Sequence, residues 1–577
     1  MNKKLLAALL ATAMLAGCGG SSKPASGTDS GNTSTSTGTA ATAAAEPAKT
    51  ADVTPTGGSV EGTPATEQLD QVVVAINSAS TDASPYAMNT PSRANTKEPL
   101  YATLFYIAPG HFIEDIQPYI GKTVTQVDDY TWDIEIFDNV TDSKGNKITA
   151  QDVLWSYEYS FRNQEFLVYG TDVESFTVVD DTHLQLKTTK TIPGVIEKLL
   201  CNSAMTIVNQ EWYENAPDDE KQNNPATTGR YMVEKNVSGS EIVLVANDDY
   251  WQKDETMLPD VAKANVKRII LKVITEDSMR AIALENKEVD VARITATNLH
   301  RFYENGAAKE GYNVYMGITN PILHSVWMNM DPNGPSKFAH DLNLRKAALY
   351  ALNAEDFMLA SGNTFDTATV THASTSPHSA GYQAKWDDPS YDYFNYDPEK
   401  AKEYLHEAGY KDGEVEIKVL MSISLYSDSQ QAVVIAGLEE AGFKVNLLAV
   451  DQALFLNYRF ENDQWDMIFD VKLAGDNAVT GWDNLYNPVG YSNGSVCFTH
   501  DDKLVELLQT AVKDASDANV EAFNAYLTDN AIQKGLFEGM TMCVAQDGIL
   551  EMNISNATFN PQGSTYAADF VSAPGAH

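Results

Sequence analysis

Cysteine is scarce in this chain: four in 577 residues, at positions 18, 201, 497 and 543. Beyond Cys18, at most one disulfide can form and one thiol is left over, which excludes a disulfide-stapled scaffold. No CxxC pair and no Cys/His spacing points to structural zinc. Zinc-protease chemistry lacks its motif too, since His406-Glu407 is followed by Ala-Gly-Tyr and not by a second histidine. His372 and His378 stand in a Ser/Thr-rich stretch at a spacing with no ligand meaning. Asp387, Asp388, Asp392 and Asp397 do not follow the calcium-loop pattern. There is no GxSxG elbow and no Walker A motif, so neither a serine hydrolase nor an ATPase is indicated. Basic residues are also short, 40 against 79 acids, for a net charge of −39. Such a chain does not hold nucleic acid through phosphates, nor an anionic membrane surface.

What is present begins at the N-terminus. Lys3 and Lys4 precede an apolar run from Leu5 to Ala16, and Leu15-Ala16-Gly17-Cys18 closes the segment. Twelve apolar residues are too few for a bilayer span, which needs roughly 20, and read instead as a signal-peptide core. The segment resembles a bacterial lipoprotein signal, which implies a lipidated Cys18 at the mature N-terminus. Losing residues 1–17 removes two lysines and no acid, and moves the charge from −39 to −41. Residues 19–66 contain no Phe, Tyr, Trp, Leu, Ile or Met, and 39 of the 48 are Ala, Gly, Ser, Thr or Pro. Such a stretch cannot offset its ordering entropy by burial and is expected to be a disordered leash spanning ~40 Å. Two or more acyl chains at its start would give stable membrane anchoring.

The body of about 510 residues holds 55 aromatic side chains and is long enough for two or three domains. Strand-like runs are read at Gln71–Ile76, Trp132–Phe137, Ile242–Ala246 and Arg268–Ile274. Thr149 is a plausible cap for an amphipathic helix through Arg162, and Asp397-Pro398 opens a helix that Gly409 ends. The clearest pattern is strand Val415–Met421, helix Asp428–Ala441, strand Lys444–Val450, helix Gln452–Glu461 and strand Asp466–Val471. This order implies a parallel sheet with right-handed crossovers, and ligands beyond the carboxyl ends of its strands. The loop from Lys472 to Pro488 is therefore the first place to look, and it carries Asp476, Trp482 and Asp483.

Several segments together resemble one family. They are Val127–Trp132 with Lys144–Tyr157, Thr228-Gly-Arg-Tyr231 with Ala246–Trp251, Phe338–Ala348, and Tyr396 to Tyr410. In order and spacing they are similar to the extracytoplasmic solute-binding proteins of ABC importers, in particular the oligopeptide- and dipeptide-binding group. The resemblance implies an α/β, two-lobed periplasmic-binding-protein-like fold with an extra inserted domain, a hinge between lobes and no catalysis. Domains are expected at 1–17 (signal peptide), 18–67 (lipidated cysteine and linker) and 116–225 (inserted domain). Lobe 1 is expected from 68–115, 226–318 and 546–577, and lobe 2 from 319–545. The implied ligand is a short peptide, with Asp476 as the carboxylate for its α-amine and Asp483 as a weaker candidate. The sequence departs from the family here: it reads Leu473-Ala-Gly-Asp-Asn477, and Gly481-Trp482 comes later. Trp482, Trp327, Asn329, Ser80 and Tyr86 are further ligand-contact candidates, while Tyr169 of the inserted domain is read as a core or surface residue before a cleft-facing one. No metal and no cofactor is expected. The implied partners are a permease and ATPase subunits, for a lipid-anchored monomer outside the cytoplasm that binds no nucleic acid. Sugar, nickel-chelate and modified-amino-acid ligands, and a secreted hydrolase, are the other readings.

Overall fold

In a computed structural model the described residues are 56–78, 80–87, 93–107, 113–162, 170–318, 322–473, 477–488, 496–555 and 558–574. Three sheets organise them. The largest has eight strands, in the order Thr56–Gly57, Tyr312–Gly317, Thr541–Gln546, Val291–Arg293, Leu69–Ile76, Val266–Val273, Glu241–Ala246 and Tyr231–Val237. The second has six strands, in the order Ala368–Val370, Gln533–Gly539, Ile322–Met328, Met467–Leu473, Val415–Ser422 and Phe443–Val450. A four-stranded antiparallel sheet between Gly121 and Thr188, backed by helix Ala150–Arg162, is inserted within the chain of the first lobe.

The local signals explain most of these elements. Thr149 Oγ1 donates to Asp152 at 2.7 Å where helix Ala150–Arg162 begins. Asp397 accepts from the Lys400 N–H at 2.9 Å, and Gly409 leaves the same helix with φ +88°. Ser427 and Gln430 form a reciprocal capping box on helix Asp428–Glu440.

The chain passes between the two large sheets twice. It goes from strand Tyr312–Gly317 to Ile322–Met328, and returns from Gln533–Gly539 to Thr541–Gln546. The second passage therefore falls at Met540 and not at the expected 545/546 boundary, because Thr541–Gln546 pairs antiparallel with Tyr312–Gly317 in the first lobe. At the passage the Met540 N–H donates to Thr367 O at 2.8 Å.

The expected leash also ends earlier than residue 66. Thr56 and Gly57 pair with Met316 and Tyr315, and the Val60 and Ala65 N–H groups reach Leu550 O and Tyr566 O at 2.8 Å. Backbone pairing on an open sheet edge needs no apolar side chain, which a composition argument overlooks. Gly57 suits the site, with φ +78° and an added Cβ only 1.8 Å from Val314 O.

Candidate functional site

Each large sheet contains the same three-strand parallel unit. In the first, Leu69–Ile76 lies between Val266–Val273 and Val291–Arg293 and is parallel to both. In the second, Val415–Ser422 lies between Phe443–Val450 and Met467–Leu473, again parallel to both. The earliest strand is central and its two successors flank it, so each lobe has one point where the strand order reverses. Ligands of open α/β sheets bind beyond the carboxyl ends at that point.

In lobe 1 this point is a pocket of ≈ 60 Å³ whose lining includes Asn77, Asn95, Arg293 and Thr558. Ser80 lies in the same loop region, where its hydroxyl accepts the Asp82 N–H at 3.4 Å. In lobe 2 strand Met467–Leu473 ends just before residues 474–476, and Asn477 then caps helix Ala478–Tyr486 by accepting the Val479 N–H at 2.9 Å. Asp476 lies outside the described residues, as does Tyr169.

Four of the expected ligand contacts are core residues instead. Trp327 is fully buried, with its indole N–H donating to Tyr486 Oη at 3.1 Å. Asn329 is also fully buried, and its amide donates to Asn462 O and Trp465 O at 2.8 Å. Trp482 packs against Trp386 and Phe523, with its N–H on Ser374 O at 3.3 Å. Tyr86 donates to Thr206 O at 3.1 Å and is boxed by Trp155, Tyr159 and Tyr213. At Trp327 the alternation that turns a side chain toward one face turns it equally well into the layer beneath, while Trp482 on its helix and Tyr86 in its turn bury their rings against neighbouring aromatics.

Asp483 has a different role. It pairs with Lys190 of the inserted domain, which also pairs with Asp172 at 2.8 Å, while Lys198 pairs with Asp172 as well. All four groups are largely buried. Burial alone would lower the Lys190 pKa, but Asp172 and Asp483 outweigh it and hold the ammonium above its usual value. Beside this pair Thr480 Oγ1 donates to Pro193 O at 2.8 Å. Helix Ala478–Tyr486 of lobe 2 is thus held against the inserted domain by two ammoniums, two carboxylates and one neutral hydrogen bond. A cavity of ≈ 420 Å³ lined by Tyr130, Thr188, Lys190 and Lys513 opens beside it.

One constellation escaped the sequence reading. Glu538 is fully buried, accepts Ser376 Oγ on both carboxylate oxygens at 2.8 Å, and lies 2.6 Å from His378 Nδ1. Two residues further along, Ala380 bridges to Asn477, so the cluster anchors the loop beside the strand end of lobe 2. Ser376 and His378 are near neighbours, but Glu538 lies 160 positions from His378, so no local spacing announces the cluster. No group of three His, Cys, Asp or Glu suited to a metal ion occurs among the described residues, where Cys201 and Cys543 are free thiols.

A sequence model of the bacterial extracellular solute-binding proteins, family 5, matches residues 115–494, and the chain belongs to that family. It is 22% identical over 403 residues to the nickel-binding periplasmic protein of Escherichia coli, covering 66% of this chain and 71% of the relative. It is 24% identical over 402 residues to the oligopeptide-binding protein OppA of Bacillus subtilis, covering 64% and 68%. Among solved structures, the PBP/SBP MoaA of A. tumefacien R10 in complex with mannopinic acid superposes with a TM-score of 0.69 at 19% identity, covering 87% of this chain and 100% of that one. The fold is therefore the two-lobed α/β fold of periplasmic binding proteins. The protein is the solute-binding component of an ABC importer, not an enzyme, and acts outside the cytoplasm on a small ligand delivered to a permease driven by an ATPase.

Proposed function

We propose that this binding protein captures short peptides and carries them to its permease as a monomer tethered through lipid on Cys18. The observation that favours peptides is the setting of Asp476. In sequence it stands between Leu473, which ends the last parallel strand of lobe 2, and Asn477, which caps the following helix. A carboxylate at that position in the chain suits a protonated α-amine, which is costly to desolvate without an anionic partner. Side-chain amides at the opposing point, Asn77 and Asn95, suit a peptide backbone that both donates and accepts hydrogen bonds.

Native mass spectrometry of the purified body tests the ligand class: a ladder of co-purifying short peptides supports it, and a single non-peptide mass overturns it. Asp476→Asn should weaken free-amine peptides about 10-fold and spare their N-acetylated forms. Equal loss for both forms would remove Asp476 from the site. For the anchor, Cys18→Ser should release the protein from the membrane fraction.

A further inference from the structure

We propose that Arg293 is the anion-recognising residue of lobe 1 and that the ligand presents a carboxylate to it. This rests on reading the cleft as the ligand site and adds the chemistry of one ligand end.

Of the eight arginines whose side chains are described, seven are committed to the protein. Arg268, Arg280, Arg301 and Arg459 make ion pairs, while Arg162, Arg230 and Arg345 donate to backbone carbonyls. Arg293 is the exception, being exposed and making no ion pair or side-chain hydrogen bond among the described residues. In a chain with 79 acids and 40 bases, a guanidinium left without a carboxylate stands out.

Its place gives that fact meaning. Arg293 ends the strand that flanks Leu69–Ile76 and lines the pocket where the strand order reverses, together with Asn77, Asn95 and Thr558. The pocket, ≈ 60 Å³, is several times the about 10–15 Å³ that one water requires. The strand end is fixed from behind. Arg280 Nε donates to Arg293 O at 2.9 Å, and its Nη groups donate to Ile274 O, Thr275 O and Asp277. Arg280 therefore positions the strand end and adds positive charge, while Arg293 keeps its planar fork of donors for a carboxylate.

The test is a binding titration of the full chain, wild type and variants. The probes are tri-alanine and L-histidine with Ni²⁺, each as free acid and as carboxamide. We expect wild type to prefer a free acid over its amide by about 10- to 100-fold. Arg293→Gln should abolish that preference with the amide affinity unchanged, and Arg293→Lys should retain part of it. An equal fall for acid and amide in Arg293→Gln, an unchanged acid, or a wild type that binds none of these acids would overturn the assignment. Peptide selectivity is read separately: binding of the histidine probe without tri-alanine overturns the peptide reading, while the acid-to-amide ratio still decides Arg293.

Discussion

The two lobes build the same three-strand parallel unit by unlike routes. In lobe 2 the central strand Val415–Ser422 reaches its first neighbour through residues 423–442, which hold one helix. In lobe 1 the equivalent connection runs from 77 to 265 and encloses the four-stranded domain and the hairpin Tyr231–Ala246. The longer path is about three doublings, and loop-closure entropy charges only about 0.6 kcal/mol for each. Binding geometry therefore follows strand order and not connection length, and an inserted domain can be added at little cost. The lobes differ in composition as well. The four most deeply buried tryptophans, Trp327, Trp386, Trp465 and Trp482, all belong to lobe 2.

That asymmetry can be broken most strongly at Trp482. Trp482→Ala removes an indole packed 4.8 Å from Phe523 and 6.2 Å from Trp386, ring centre to ring centre. The expected cost is about 3–5 kcal/mol, confined to lobe 2. Calorimetry should show the lobe 2 transition falling while that of lobe 1 holds. A variant that melts like wild type but binds ligand poorly would return Trp482 to the cleft.

Acid should separate the lobes next. In lobe 2, burial pushes the pKa of His324 down to about 4 and that of His372 to about 3, and His324 is stacked on Phe537 at 4.1 Å. Below about 6.5 the unfolded chain takes up these protons and the folded lobe does not, so stability falls as pH drops from 6.5 toward 4. Each ring should cost about 1 to 2 kcal/mol by pH 5, allowing for its residual exposure. In lobe 1 and its inserted domain, burial raises the pKa of Asp290, Asp142 and Glu197. Those groups take up protons earlier when folded than when unfolded, so the same acidification favours the folded state. Melting at pH 7.5 and pH 5 should therefore lower the lobe 2 transition selectively, and His324→Leu should remove part of the drop. Equal shifts in both lobes would contradict this assignment.

The same contrast explains what the sequence could reveal. The lobe 2 unit was legible because its strands and helices alternate within 60 residues, and the observed elements agree closely with the pattern read from 415 to 471. Lobe 1 was legible only in pieces. Its sheet joins residues 56–57, 312–317 and 541–546, pairings set by distant backbone and not by local periodicity. The site divides the same way. Strand order directs attention to the loop after Met467–Leu473, but it cannot say whether Trp482 turns inward or whether Asp483 meets a lysine nearly 300 positions away. Arg293 carried no motif at all; its significance comes from the absence of a partner, which only the folded chain displays.

The smallest expected effect tests whether the lobes are coupled through Asp483. Asp483→Asn removes one charge from the contact, yet Lys190 keeps Asp172 at 2.8 Å and Thr480 keeps Pro193 O. Because the ammonium is not stranded, the penalty should be about 1 kcal/mol, well short of the 3–5 kcal/mol of a buried charge left alone. If the contact favours lobe closure, that energy moves the open–closed balance about fivefold, and ligand affinity should weaken by the same factor. Small-angle scattering of the ligand-free variant should report a larger radius of gyration than wild type, with equal radii once ligand is saturating. Unchanged affinity together with an unchanged radius would make Asp483 a packing residue of the interface. Hinge closure would then be driven by ligand contacts alone, at the two points where the strand order reverses.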